Sequence, residues 1–447
     1  MLRPAPKGPN RSCSAPEVDT LQTLAEALQK TAYRKIHTYP FSSVPLCWRR
    51  LYTDAGIILA ILLIWKFQKL PLEKCWDETE TAFIEKLDMV LIMTGAPGPS
   101  REEAIHQLLS SISSYTPTNS SDASSLSNFD TPRPTKRQRT SPAPQLQPIP
   151  DVDLRTLPSS PIPPIKFPIP RYKNPPSLPA FRAHISQPCP TPFIISSLTT
   201  SYPCSTTNPW HSTSYLLSVT NTGKRLVPVE VGEAYTSSDW GQEIIPFRDF
   251  LSKYILHPDG NKRGYLAQHH LLRQIPALRN DLVVPDYCYI SPTTSKEQEG
   301  DEDEAEPAAP ILNTWFGPPS TISPLHTDPH HNLLLQLFGK KYIRLYPPSA
   351  TPYLFPRGKD ENGVDMSNTS SIPWEMVEGG MDGENIGGVS GLGGGVDVED
   401  AVRFGGFEGV EYVECVLDEG EGLFLPRGWW HYVRGLSVGW SVSCWWD

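Results

Sequence analysis

The chain has 447 residues, of which 48 are proline, and carries a net charge of −10. That length accommodates two or three domains of roughly 100 to 200 residues each, and proline at about twice its usual share of roughly 5%, clustered before residue 190, predicts that part of the chain is unfolded linker. The acidic excess, gathered around 296–306 and 376–421, argues against a general nucleic-acid-binding surface.

The N-terminus, MLRPAPKGPN, has no apolar stretch of the secretory kind, so residues 1–16 read as a disordered start and secretion is not expected. The eight cysteines, at 13, 47, 75, 189, 204, 288, 415 and 444, include no Cys-x-x-Cys and no close pair. This spacing predicts free thiols in a reducing compartment and no disulfide framework or zinc site.

Residues 17–115 predict an α-helical module. Leu21, Leu24 and Leu28 recur at helical spacing, and Phe83, Ile84, Leu87 and Leu91 do the same before a stop at Gly95 and Pro97. Ser100-Arg-Glu-Glu103 has the form of a capping box opening a helix with Ile105, Leu108 and Leu109. The longest apolar run, IILAILLIW at 57–65, falls far short of the roughly 20 residues that cross a bilayer and is flanked by Asp54 and Lys66. It predicts a buried helix, with no membrane partner. Residues 116–165 are rich in Ser, Thr and Pro and predict a disordered linker. Within it, Lys136-Arg-Gln-Arg139 reads equally as a solvated charge cluster or a nuclear import signal, and the second reading places the protein in the nucleus, with the cytoplasm as alternative.

From 166 the pattern turns to short β-type runs: 193–195, 226–231, 315–316, 333–338, 341–346, 423–425 and the C-terminal run. In the last, Val438, Trp440, Val442, Cys444 and Trp446 alternate with Ser437, Gly439, Ser441, Ser443 and Trp445, which predicts a strand with one buried face. Many short strands predict a mainly β barrel or sandwich over 166–447. Two insertions read as surface loops: the acidic stretch at 296–306, and a Gly-rich stretch at 379–395 within an insertion of about 358–405.

The chemistry gathers in TISPLHTDPHHNLLLQLFGKKYIRLY, residues 321–346. His326 and Asp328 are two apart, so on a strand they share a face. His431, after EGEGLFLPRGWW, is the natural third ligand, 103 residues on from Asp328 (431 − 328). Two imidazoles and one carboxylate leave metal positions open, the donor set of non-heme Fe(II) oxygenases. A lone His-x-Asp pair is common, and His330 and His331 compete as ligands at this level of reading. Gly339-Lys340 predicts a tight hairpin, after which Lys341 points into the barrel. A buried ammonium there asks for an anion. A dicarboxylate co-substrate would supply one, with Tyr265, Ser323 and Asn332 adding hydrogen bonds. For the group oxidised, Glu230, Tyr235, Trp240, Gln268 and Trp315 make a candidate pocket. An acidic side chain amid aromatic rings suits a planar cation and favours an arginine side chain, with a methyl-lysine in an aromatic cage as the alternative.

The stretches WFGPPSTISPLHTDPHHN, GKKYIRLYPP, EGLFLPRGWWHYVRGLSVGWSVSCWW, LVPVEVGEAYTSSDWGQ and GYLAQHHL resemble the Jumonji-C (JmjC) oxygenases, and one small branch of them most specifically. The likeness runs from about Ile169 to the C-terminus, with a weaker one through PLCWRRLYTDAGIILAI. The resemblance implies a double-stranded β-helix, a cupin-like jelly roll, using Fe(II), 2-oxoglutarate and O₂. It puts iron on His326, Asp328 and His431, and 2-oxoglutarate on Lys341, Tyr265, Ser323 and Asn332. It also implies a protein or peptide substrate, chromatin-associated in several members, oxidised at arginine by hydroxylation or at methyl-lysine by demethylation. A catalytically silent scaffold, with the helical module recruiting a partner, is the reading from another class. Two departures stand out. Glutamines are usual in the family where this chain has His330 and His331, and the Gly-rich insertion follows Asn368-Thr-Ser370, which looks like a family landmark.

Overall fold

The computed structural model describes residues 15–40, 43–69, 76–114, 148–232, 240–258, 262–292, 308–359, 363, 365–379, 403–407 and 409–447. The basic tract at 136–139, the acidic loop at 296–306, the Gly-rich stretch beyond Gly379 and Tyr235 lie outside the described residues, as do most of the expected N-terminal and linker segments. The chain forms two compact units, 1–149 with Lys224–Leu226, and 150–223 with 227–447.

The first unit is the expected helical module. Its helices are α1 (Ala15–Ile36), α2 (Leu46–Lys69), α3 (Trp76–Thr94) and α4 (Arg101–Ser113). Asp77 and Glu78 open α3 and Arg34 and Lys35 close α1, each charge opposing the helix dipole. Gly95 ends α3 in the left-handed region at φ 66, as the sequence pattern predicts. Two expectations need correction. Ser100 does precede α4, but it sits at φ 59 and its side chain caps nothing, so no capping box forms. The periodic leucines of α1 do not face the core either: Leu21, Leu24 and Leu28 are exposed, while Val18, Ala25, Ala32 and Ile36, on a neighbouring stripe, are buried. The run 57–65 lies in a 24-residue helix that is long and apolar enough to cross a bilayer by length and composition alone. Within the unit, Leu59, Ala60 and Leu62 are buried, whereas Ile58 and Ile61 are exposed.

The second unit carries the β structure. Its strands are β1 (Arg171–Tyr172), β2 (Phe193–Ile195), β3 (Leu226–Val231), β4 (Gly241–Pro246), β5 (Gly264–His269), β6 (Ile311–Gly317), β7 (Ile322–Thr327), β8 (His331–Phe338), β9 (Lys341–Tyr346), β10 (Val413–Leu417), β11 (Gly422–Leu425), β12 (Trp430–Gly435) and β13 (Gly439–Trp446). They form a nine-stranded sheet in the order β1-β2-β11-β8-β13-β6-β5-β3-β4 and a four-stranded sheet in the order β10-β9-β12-β7. Two sheets made of crossing, mostly antiparallel strands are the jelly-roll arrangement the sequence predicts.

Strand periodicity divides the side chains of the small sheet. On β9, Ile343 and Leu345 join Val433 of β12 and Leu334, Leu423 and Leu425 of the large sheet in the core between the sheets. Tyr342 and Tyr346 of β9, with Trp430 and Tyr432 of β12, face the other way. That outer face is covered by Ile372, Val377, Phe404 and Phe407. The described segments flanking the Gly-rich stretch therefore bury apolar groups, while the stretch read as a surface loop lies outside the described residues beyond Gly379. The connection lies between β9 and β10, which pair directly, so the sheet closes beneath it.

The expected disordered linker ends earlier than residue 165. From 148 the chain lies along the second unit: Leu154 is buried, its N–H donates to His211 O at 2.8 Å, and Ser160 N–H donates to Leu436 O at 2.6 Å. Its run of prolines hid these anchors, because single backbone bonds leave no periodic signature. The expected hairpin between β8 and β9 does not form. Gly339, at φ 76, makes a tight turn, but β8 pairs with β11 and β13 in the large sheet and β9 with β10 and β12 in the small one, so the turn carries the chain from one sheet to the other. A Cβ there would meet Val438 O at 2.2 Å. β13 departs from the expectation of one buried face, since Ser441 and Ser443 are as buried as Val442 and Cys444.

Candidate active site

β7 and β12 run antiparallel with His326 directly opposite His431. The two rings lie 4.0 Å apart, centroid to centroid. Asp328 is just past the end of β7, and its backbone oxygen accepts from Gly428 N–H at 3.3 Å. Its carboxylate reaches both rings, Oδ1 at 3.9 Å from His326 Nε2 and Oδ2 at 3.5 Å from His431 Nε2. The three ligand-type atoms lie within 4.8 Å of one another. Between them Thr327 N–H donates to Asn368 O at 2.8 Å, so the 368–370 segment pins the strand end that carries the pair.

Each ring has its other nitrogen engaged by the backbone. His326 Nδ1 is 2.7 Å from Pro324 O and His431 Nδ1 is 3.1 Å from Trp429 O. A proton on Nδ1 donates to the carbonyl and leaves the Nε2 lone pair facing Asp328. Burial, helped by the neighbouring His326, lowers His431 to about 4, so its imidazole is neutral and ready to donate to a cation. Ligand atoms around an ion with bonds of about 2.0–2.2 Å stand about 3 Å apart. The carboxylate stands within an ångström of that spacing from each ring nitrogen, and the donor set fits a divalent metal.

The cleft beside the triad is lined by Tyr265, Trp315, Ser323, Asn332, Lys341 and Ser443 among others. Lys341 is buried and hydrogen-bonds Tyr265 Oη at 2.9 Å, with its ammonium 5.5 Å from the Tyr265 ring and 6.0 Å from that of Trp315. Desolvation alone pulls its pKa down to about 7. Asn332 Oδ1 is buried with no hydrogen-bond partner. A buried cation short of counter-charge in one cleft with the triad fits an anionic chelator that spans the distance between them.

His330 and His331 stand apart from this geometry. His330 Nδ1 pairs with Asp447 Oδ1 at 2.9 Å. His331 is buried against Phe424 and Trp446, and its Nδ1 accepts from Arg427 N–H at 3.3 Å. Burial lowers its pKa to about 4. Of the five pocket residues expected for the oxidised group, the structure brings together three. Trp315 lines the cleft, Glu230 is the cross-strand neighbour of Tyr265, and Trp240 Nε1 lies 3.5 Å from Glu230 Oε2. Burial raises Glu230 to about 6, against the opposing hydrogen bond from Trp240. Gln268 is exposed, at φ 49. The sequence reading missed Ser443, Leu334, Leu425 and Val433 in the cleft. Ser443 was legible only as the polar half of an alternating strand, a pattern that ordinarily marks solvent.

Residues 178–447 match the family model described as a cupin-like domain. The chain belongs to this family, among its JmjC members. It is 40% identical over 272 residues to "Lysine-specific demethylase 8" of Danio rerio, covering 61% of this chain and 57% of that protein. It is 38% identical over 258 residues to "Lysine-specific demethylase JMJ30" of Arabidopsis thaliana, covering 58% and 50%. It is 36% identical over 242 residues to "Jumonji C domain-containing protein 5" of Drosophila melanogaster, covering 53% and 50%. The chain thus spans about half the length of the curated relatives it matches. The branch that the sequence motifs single out, Jumonji domain-containing protein five or lysine-specific demethylase eight, is the one that the Danio rerio and Drosophila melanogaster relatives carry in their names. JmjC cupin-like proteins typically use Fe(II) and 2-oxoglutarate, and the His326, Asp328 and His431 triad of this chain could hold the metal.

Proposed function

We propose that the chain oxidises a basic side chain of a protein substrate, using iron on His326, Asp328 and His431 and 2-oxoglutarate held by Lys341, Tyr265, Ser323 and Asn332. The observation that carries this reading is the buried Lys341 ammonium in the same cleft as the two-histidine, one-carboxylate triad. When bound, iron and 2-oxoglutarate supply the reaction with O₂ that yields succinate and CO₂ and oxygenates a nearby C–H bond. The chain's own part is to present that bond. His326 and His431 offer Nε2, Lys341 and Tyr265 anchor the far carboxylate, and Leu334, Leu425 and Val433 keep the cleft wall apolar.

The names of the relatives support removal of a methyl group from lysine, in which the N-methyl carbon is hydroxylated and leaves as formaldehyde. Histone peptides are the first substrates to try. A second reading, arginine hydroxylation, is favoured by Glu230. Its carboxylate, beside the Trp240 indole, is shaped to accept paired hydrogen bonds from a guanidinium. Mass spectrometry of methylated and arginine-bearing peptides, incubated with the chain, Fe(II), 2-oxoglutarate and O₂, tests both. Loss of a methyl group with formaldehyde supports demethylation, and gain of one oxygen on arginine supports hydroxylation. No peptide change and no succinate favours the scaffold reading.

A further inference from the structure

β13 carries two serines into the space between the sheets, and they are not equivalent. Ser441 Oγ donates to Gln336 Oε1 at 2.8 Å, so its proton is used inside the wall. Ser443 Oγ lies 2.8 Å from Trp315 Nε1. An indole N–H is donor only, so Ser443 is the acceptor in that bond and its own proton remains to be given. Among the described residues no acceptor for that proton is found, although the residue is almost wholly buried and its side chain lines the cleft. The register sets Ser443 opposite Leu334 on β8, two positions along from the pair Trp445 and Asn332, so Ser443 and Asn332 are diagonal neighbours. Their polar groups thus share one stretch of wall, beside the triad.

We propose that Ser443 is a further co-substrate-binding residue, donating its hydroxyl proton to a carboxylate oxygen of 2-oxoglutarate, with Trp315 as the positioning residue that sets the hydroxyl's direction. The inference rests on the 2-oxoglutarate reading of the cleft. Three features support it. A buried hydroxyl whose donor is unused costs free energy until an acceptor arrives. The cleft holds the buried Lys341 ammonium, so the ligand it admits is an anion that accepts hydrogen bonds. The Trp315 indole, 6.0 Å from Lys341 Nζ, spans the wall between the ammonium and Ser443, which ties the hydroxyl's orientation to the anion site. Trp315 then serves as a wall of the co-substrate site as well as of the pocket for the oxidised group.

The test is anaerobic titration of the Fe(II)-loaded full chain with 2-oxoglutarate, followed by charge-transfer absorption and by the ligand-induced rise in melting temperature. Ser443→Ala and Ser443→Cys are expected to weaken 2-oxoglutarate binding about 10- to 100-fold, the span of a hydrogen bond to a charged group. Iron affinity and the ligand-free melting temperature should stay as in the unaltered chain. The cysteine variant fills the same space with a weak donor and keeps the test open should the alanine variant fold poorly. Trp315→Phe, which keeps a ring but loses the N–H, is expected to weaken binding by less than loss of the hydroxyl does. Unchanged 2-oxoglutarate binding in Ser443→Cys, alongside weakened binding in Lys341→Ala, overturns the role of Ser443 and leaves the co-substrate site standing. Unchanged binding in both overturns the site and the proposal together. Weakening that comes with an equal loss of iron affinity overturns the proposal, because it marks a general disturbance of the cleft.

Discussion

His326 and His431 face each other across the β7–β12 ladder, 105 residues apart in sequence (431 − 326) yet 4.0 Å apart between ring centroids. Cross-strand pairing does the work that a single chelating loop does elsewhere: both rings are fixed by backbone carbonyls, and Asp328 completes the set from the adjoining strand end. Removing one ring leaves two donors and an uncapped face. His326→Ala is expected to reduce turnover to background and weaken Fe(II) binding by at least about tenfold, the lower end of what a direct or adjoining metal partner contributes. Metal titration and succinate formation check it, and retained activity would rule out the assignment. His330→Gln, by contrast, should leave metal affinity unchanged, because its ring pairs with Asp447.

Lys341 gives the co-substrate prediction. Its ammonium is desolvated and bonded to Tyr265, and only a bound anion offsets that cost. Lys341→Ala should raise the 2-oxoglutarate requirement about 10- to 100-fold, the loss of a hydrogen bond to a charged group, with little loss of ligand-free stability. Unchanged dependence on 2-oxoglutarate would refute the role.

The same residue predicts a proton linkage. Burial brings the folded pKa down to about 7, below the ordinary lysine value of 10.5. Between those values the unfolded chain holds the proton and the folded one does not, so this group makes stability rise with pH across that window. Anion binding favours the ammonium and so draws a proton in. Binding of 2-oxoglutarate at pH 8 should take up a proton, and affinity should fall as pH rises above about 7. Calorimetry in buffers of different ionisation enthalpy measures the uptake. In Lys341→Met that part of the uptake should vanish, and an unaltered uptake would point to another group.

The tight turn between β8 and β9 that aims Lys341 depends on a glycine. Gly339 has φ 76, and a Cβ would sit 2.2 Å from Val438 O. Gly339→Ala should destabilise the second unit by about 2 kcal/mol or more, through left-handed strain and backbone overlap. Gly358, which has open space around the same position, should accept alanine with a change within about 0.5 kcal/mol. Denaturant unfolding compares the two, and equal effects would show that the turn tolerates a side chain.

What could be read from the sequence follows from how local each signal is. β3 and β9 were predicted at their observed bounds, because each is a short apolar run between turns. Residue types alone left His330 and His331 as competing ligands, and it was the family resemblance that singled out His326, Asp328 and His431, the three that the structure brings together. Side-chain direction was legible only when one face meets water. On β13 both faces are buried, so Ser443, which lines the cleft, has the sequence signature of a solvated edge. On α1, the larger leucines drew the eye while small alanines formed the packed stripe, because close helix approach there demands small side chains. The anchors at Leu154 and Ser160 are single long-range bonds, which no local pattern encodes.

Glu230 carries the last prediction, which concerns the oxidised group alone. Its carboxylate is desolvated on β3, opposite Tyr265, and has the Trp240 indole as neighbour. A cationic side chain entering beside it would gain an ion pair in a buried setting, where loss of one partner costs more than at the surface. Glu230→Gln keeps the shape and removes the charge. It should lower kcat/KM for a basic peptide about 10-fold or more, while 2-oxoglutarate binding and peptide-independent succinate formation stay as they were. Because burial raises the pKa to about 6, peptide turnover should climb as pH rises through that value in the unaltered chain. The climb should be absent in the glutamine variant. An equal fall in 2-oxoglutarate binding would place Glu230 in the co-substrate site instead, and full activity with basic peptides would remove it from recognition altogether.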